Sequence, residues 1–160
     1  MADPIDAIRA EASRIEAEAA AAARGHEAAA KPWRRLSLWL GLPIAVLAAA
    51  AGVSTFSDHP VTAGILEVIV AIGTALVAFM SPGERHLRHD EACHGYEALR
   101  NDARIFREVE CAVEADPEDL AEQLRGLNQR RNHLNGDSPA LAASARGAAA
   151  AGAASGARPG

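Results

Sequence analysis

Two apolar blocks, LSLWLGLPIAVLAAAAGVSTF (Leu36 to Phe56) and VTAGILEVIVAIGTALVAFM (residues 61–80), stand four residues apart. Neither contains Lys, Arg or Asp, and the pair holds a single glutamate, Glu67. At 1.5 Å per residue each block makes a helix of roughly 30 Å, the hydrocarbon thickness of a bilayer. The chain-wide composition hides this segregation, since 49% hydrophobic residues and a net charge of -5 describe an ordinary domain. With the two blocks removed, the remainder is Ala-rich, charged and poor in aromatics, and cannot build a sizeable soluble core alone. The link SDHP (Ser57 to Pro60) fits a tight turn between antiparallel helices. The expected fold is therefore an all-α membrane protein, a two-helix transmembrane hairpin (36–56 and 61–80) with N-terminal and C-terminal cytoplasmic helices. The expected divisions are an amphipathic helix over 1–35, the hairpin over 36–80, a helical region over 81–138 and an Ala/Gly-rich tail over 139–160 left disordered.

Orientation follows from the flanks, because cytoplasmic segments beside spans are enriched in Lys and Arg. Lys31, Arg34 and Arg35 precede the first block, Arg85, Arg88 and Arg100 follow the second, and the link has neither residue type. Both termini of a multi-pass membrane protein are therefore expected in the cytoplasm. A cleaved signal peptide is the rival reading of the first block. It is disfavoured by the acidic, helix-patterned segment of some thirty residues ahead of it, where a short basic region belongs. Cys93 and Cys111 then lie in a reducing compartment, and idle or buried thiols are expected rather than a disulfide.

The flanking segments carry helix signatures. Asp3-Pro4 and Asp116-Pro117 each pair a capping carboxylate with a first-turn proline. Ile5, Ile8, Ala12, Ile15, Ala19 and Ala22 recur at spacings of three and four on a helix running to about Ala30. Ser81, Pro82 and Gly83 are expected to break or bend the chain, with a hinge at Pro82 and Gly83, and a second helix runs from Glu84 to about Ala115. Its stripe is Ala92, Tyr96, Leu99, Ala103 and Phe106. A third helix carries Leu120, Leu124, Leu127 and Leu134 on one face, with Arg131 between them, and ends at Asn135 and Gly136. These narrow stripes are filled by an intramolecular bundle, by self-association, or by both.

An ionisable residue inside a transmembrane helix costs on the order of 2.5 to 3.5 kcal/mol on insertion scales, so it faces a partner, a bundle interior or water. Gly64, Glu67, Ala71, Thr74 and Ala78 share one stripe of small or polar residues, continued by Ser81. Ile65, Ile69, Ile72, Leu76 and Phe79 form a bulky stripe roughly opposite. Small residues permit close helix approach, and Gly41, Ala45, Ala49 and Gly52 of the first block offer a matching surface. Pro43 removes one backbone hydrogen bond there and is expected to kink the helix. No Lys or Arg lies in either block to neutralise Glu67, which leaves three states for it: protonated, snorkelling to the outer interface, or gathered in a ring of copies. Snorkelling or packing and a water-facing role are equally compatible with the pattern.

Enzymatic readings find less support. His86, His89 and His94, with Asp90, Glu91 and Cys93 among them, suggest a metal site, yet the set winds around its helix and contains neither a Cys pair nor HExxH. Helix-surface or packing roles are the more economical reading, with no metal, no cofactor and no catalytic residue expected. Neither a GxxxxGKS or GxGxxG loop nor a GxSxG elbow is present. Basic residues interleaved with acids argue against nucleic acid as a partner and suit anionic lipid.

The order of features HEAAAKPWRRLSLWLGLPIAVLAAAAGVSTF, FMSPGERHLRHDEACHGYEALRNDARIF and LAEQLRGLNQRRNHLNGDSP resembles the SLATT family. These are two-transmembrane effector domains found beside nucleotide-synthesising SMODS and nucleotide-sensing SLOG proteins in bacteria. The elements that carry the resemblance are His26, the GVSTF end of the first block, SPGERHLRH with His89, the YEALR run (Tyr96, Leu99, Arg100), and the RRNHL to SP segment with Arg131, Leu134 and Pro139. They cover roughly residues 20–140. The resemblance implies a pore-forming or membrane-disrupting effector of anti-phage and other conflict systems. Such an effector is a homo-oligomer in the lipid bilayer, restrained until a nucleotide-linked signal releases it and ending in growth arrest or cell death. No fused sensor is legible, so the expected trigger is a separate nucleotide-signalling protein or a cyclic nucleotide at a cytoplasmic surface. A non-conducting anchor or scaffold that recruits a cytoplasmic partner through its helices is the alternative, and a membrane-bound metal enzyme the third.

Overall fold

The computed structural model of the chain describes residues 3–55, 60–113 and 116–142. All regular structure among them is helical: α1 (Pro4–Thr55), α2 (Pro60–Met80), α3 (Pro82–Glu108), a single 3-10 turn (Glu110–Ala112) and α4 (Pro117–Asp137). The expected link at residues 57–59 and the tail beyond residue 142 lie outside the described residues. Two units form, one from Met1–Ala29 with Arg88–Gly160, the other from Ala30–Leu87. The boundaries thus fall at 29/30 and 87/88, where charge and hydropathy had placed them at 35/36 and 80/81.

The first unit is a three-helix bundle built from the start of α1, most of α3, and α4. Asp3 accepts from the Ile5 amide at 3.0 Å and Asp116 from the Glu118 amide at 3.0 Å, each with proline as the first helical residue. Both carboxylates therefore satisfy amides that a helix start leaves orphaned. Ile8, Ala12, Ile15, Ala19 and Ala23 of α1 are buried, as are Ala92, Cys93, Tyr96, Leu99, Ala103 and Phe106 of α3 and Leu120 of α4. Leu124, Leu127 and Leu134 pack against them. The stripes read from the sequence close on one another within one chain. At the turn between α3 and α4 the Arg9 guanidinium donates to the Cys111 carbonyl, tying the first turns of α1 to that connection.

Some ends differ from expectation for local reasons. The helix expected to reach Ala115 stops at Glu108 and gives way to the 3-10 turn. α4 passes Asn135 and Gly136 and ends at Asp137, because Ser138 precedes Pro139 and is held extended (φ -72, ψ 141). Its amide still donates to the Leu134 carbonyl at 2.9 Å.

In the second unit α1 continues as helix through both Pro32 and Pro43. Proline removes one N–H and crowds one carbonyl, and here neither breaks the element. Positions at spacings of three and four, Trp33, Ser37, Leu40, Ile44 and Leu47, are half-buried and Ala51 is buried; on α2 the matching set is Ala63, Leu66, Val70, Gly73, Val77 and Met80. A Cβ at Gly73 would lie 3.0 Å from Ile44 Cγ1, so the absence of a side chain lets the two helices approach at that level. The small series Gly41, Ala45, Ala49 and Gly52 is exposed instead of meeting α2.

α2 and α3 are separated by Ser81 alone, at φ 42. Its amide donates to the Val77 carbonyl and its carbonyl accepts from the Arg85 amide, so one left-handed residue ends one helix and starts the next. The break expected over Ser81, Pro82 and Gly83 falls at its first residue. Pro82 is the buried first residue of α3, and Gly83 has no positive φ and open space where a side chain would stand.

Candidate functional site

Two places are candidates for a functional site, one in each unit. On the apolar unit, Gly64, Glu67, Ala71, Thr74 and Ala78 all lie exposed on α2, off the seam with α1. Ile65, Ile69, Ile72, Leu76 and Phe79 are exposed as well. Among the described residues two helices are long and apolar enough to cross a membrane, and only 6% of the apolar window in each is buried. A core helix of a soluble domain is mostly buried, so this exposure suits helices solvated by lipid. At one end of the same unit the Arg85 guanidinium lies 4.9 Å from the centre of the Trp33 ring, a cation–π contact between α3 and α1.

The second place is inside the bundle. His26 of α1 and His89 of α3 are 3% and 8% exposed and meet Nδ1 to Nδ1 at 3.0 Å. Tyr96, two turns beyond His89, stacks on His26 with ring centroids 5.5 Å apart and planes 13° from parallel. The Tyr96 hydroxyl donates to Asn135 Oδ1 at 2.7 Å, which brings α4 into the cluster. Close contact between α3 and α4 is set one residue away, where a Cβ on Gly95 would stand 2.8 Å from Leu134 Cδ2. A side chain there would require Leu134 to shift.

Burial, then the neighbouring His89, pushes the His26 imidazole down to about 4. Burial also lowers His89, opposed by the Asp90 carboxylate. Both rings are therefore neutral near pH 7. One Nδ1–H donates and the other Nδ1 accepts, which fixes opposite tautomers on the two rings. Burial pushes the Cys93 thiol up, reinforced by the carboxylates of Glu97, Glu27 and Asp90, and the Cys111 thiol rises for the same first reason. Both cysteines are free and buried, which leaves them poor nucleophiles.

Of the residues carrying the family resemblance, His26, His89, Tyr96 and Leu134 thus converge on this cluster, and Leu99 is fully buried in the same core. Arg100 stands apart, exposed beside Glu97, Asn101 and Arg104 on a shallow surface hollow. Arg131 reaches Glu18 of α1 at 3.0 Å, and Glu18 also holds Arg14 at 2.7 Å. The histidines that suggested a metal site part company. His86 donates from Nδ1 to the Gly83 carbonyl, His94 faces solvent beside Glu97, and His89 alone turns inward. Among the described residues no three His, Cys, Asp or Glu side chains are grouped to hold an ion.

The pairing of His26 with His89 was not read from the sequence, yet a signal existed. His26 falls three residues after Ala23 on the apolar stripe of α1, and His89 three before Ala92 on that of α3. A polar residue in phase with a core stripe needs a partner.

No protein-family model, curated protein or solved structure matches the chain.

Proposed function

We propose that the chain is a membrane effector, pore-forming and homo-oligomeric, of the kind the SLATT resemblance implies. In this reading it sits in the bacterial inner membrane with both termini cytoplasmic, and answers a nucleotide-signalling partner or a cyclic nucleotide by arresting growth or killing the cell. The observation that carries the pore is the exposure of Glu67 on α2 among Gly64, Ala71, Thr74 and Ala78. A carboxylate on a lipid-facing surface is unfavourable, whereas several copies turning this small, polar stripe toward one axis give it water and make the path favour cations. The alternative scaffold would recruit a partner through its heptad stripes. Those stripes are already filled within the bundle, which weighs against it.

Planar-bilayer recordings of the purified protein test this reading, comparing wild type with Glu67→Gln, alone and with candidate cyclic nucleotides. Discrete cation-preferring currents altered by the substitution are expected. Currents with unchanged conductance and selectivity would remove Glu67 from the water path. Silence throughout, together with harmless membrane localisation on expression, would favour the scaffold.

A further inference from the structure

An imidazole pair holds two helices together only in certain protonation states. The N–H···N contact between His26 and His89 needs one donor and one acceptor, which two neutral rings supply. One added proton keeps the bond but places a cation among Tyr96, Cys93 and Ala23, where nothing apolar can solvate it. A second proton turns both Nδ1 atoms into donors and sets two like charges 3.0 Å apart. Contact is then lost.

The surroundings oppose this only weakly. On α3, Asp90 favours a proton on His89, while the Tyr96 hydroxyl is committed to Asn135. On α1, Glu27 acts on the Cys93 thiol. On α4, Asn135 reaches the cluster through Tyr96, and His133 and Asp137 pair with each other 75% and 69% exposed. Position adds the consequence. His26 lies in the last turn of α1 before Ala30, and His89 is the second residue of α3 within the bundle.

We propose that His26 and His89 form an acid-released latch, which holds α1 to α3 at this end of the bundle when neutral and opens it when both rings are protonated. The remainder of the core, from Leu99 to Leu120, stays packed. As a device for regulation the latch rests on the effector reading, in which the released turns lead directly into the apolar helices; as a piece of chemistry it does not.

Cys93, one turn beyond His89 and packed with Ala23 and Tyr96, reports opening. The full-length protein in detergent, carrying Cys111→Ala so that Cys93 is the remaining thiol, is titrated with 4,4′-dithiodipyridine, which stays reactive in acid. Thiol reactivity is expected to rise on the order of tenfold or more as the pH falls from about 6.5 to about 4, with helix content by circular dichroism unchanged. The His26→Asn, His89→Asn double variant keeps amide donors and acceptors near the Nδ1 positions and takes no proton, so it should show no rise. Shielding of Cys93 throughout, or a rise in the double variant equal to that of wild type, overturns the latch. Should the double variant not fold, NMR titration of the two imidazoles replaces it, and their midpoints must coincide with that of Cys93 exposure; a mismatch overturns the proposal. None of these readings depends on ion conduction, so a failed pore and a failed latch are separate results.

Discussion

Leu99→Ala and Ile72→Ala remove the same class of apolar carbon from positions that the structure treats oppositely. Leu99 is 0% exposed in a core it shares with Ile15, Ala19, Ala23, Cys93, Tyr96 and Ala103. Buried leucine-to-alanine changes cost about 2–5 kcal/mol. In a domain of roughly 60–100 residues each kcal/mol moves the melting temperature by about 4–8 °C, so a drop of about 10 °C or more follows. Ile72 is 65% exposed on α2. Detergent or lipid is as good a solvent for its side chain as any protein neighbour, so Ile72→Ala should shift melting by less than about 1 kcal/mol. Thermal unfolding of both variants in the same detergent, followed by circular dichroism, makes the comparison. Equal losses, or a larger loss at Ile72, would refute the division into a packed bundle and lipid-facing helices.

Three further outcomes are expected. Ser81→Val should destabilise the joint between α2 and α3 by about 1–2 kcal/mol, since a β-branched residue is strained at φ 42, whereas Ser81→Gly should be tolerated; melting temperatures decide. Acid should weaken the fold through His26, because an unfolded imidazole takes a proton near 6.5 and the folded one only near 4. Stability is thus fully present above about 6.5 and falls as the pH drops to about 4, by on the order of 3 kcal/mol, measured by urea unfolding across that range. Asp116→Ala removes the cap of α4 and should cost the bundle about 1 kcal/mol by the same unfolding measurement.

What could be read from the sequence was local chemistry. Asp3-Pro4 and Asp116-Pro117 announce helix starts because a carboxylate, an amide and a ring with fixed φ are neighbours along the chain. Tyr96, Leu99, Ala103 and Phe106 announce a buried stripe because helix periodicity brings them together without reference to the rest of the fold. The passage from Ala30 to Leu36 misled for the complementary reason. Lys31, Pro32, Arg34 and Arg35 mark a change of chemical surroundings, and a helix does not stop where its surroundings change. The seam between α1 and α2 runs not through Gly41, Ala45, Ala49 and Gly52 but through their neighbours Leu40, Ile44 and Ala51, with Gly73 giving room opposite Ile44. Glu67 was legible as an anomaly, and its exposure needed coordinates. The imidazole pair joins residues 63 positions apart, a separation that periodicity cannot bridge.

The packed positions of α1 run Ile8, Ala12, Ile15, Ala19, Ala23, His26, Ala30, Trp33, Ser37, Leu40, Ile44, Leu47 and Ala51, in steps of three and four without a skip. Such a helix has a grammar of length. One residue inserted between Leu40 and Ile44 turns everything after it by about 100° relative to everything before it, and places exposed side chains in the seam with α2. Seven residues restore the phase to within about 20°. About eleven residues do the same and about eighteen restore it fully, so descendants of this chain can lengthen or shorten that stretch of α1 only by near-whole numbers of turns, whatever the chemistry of the residues gained or lost.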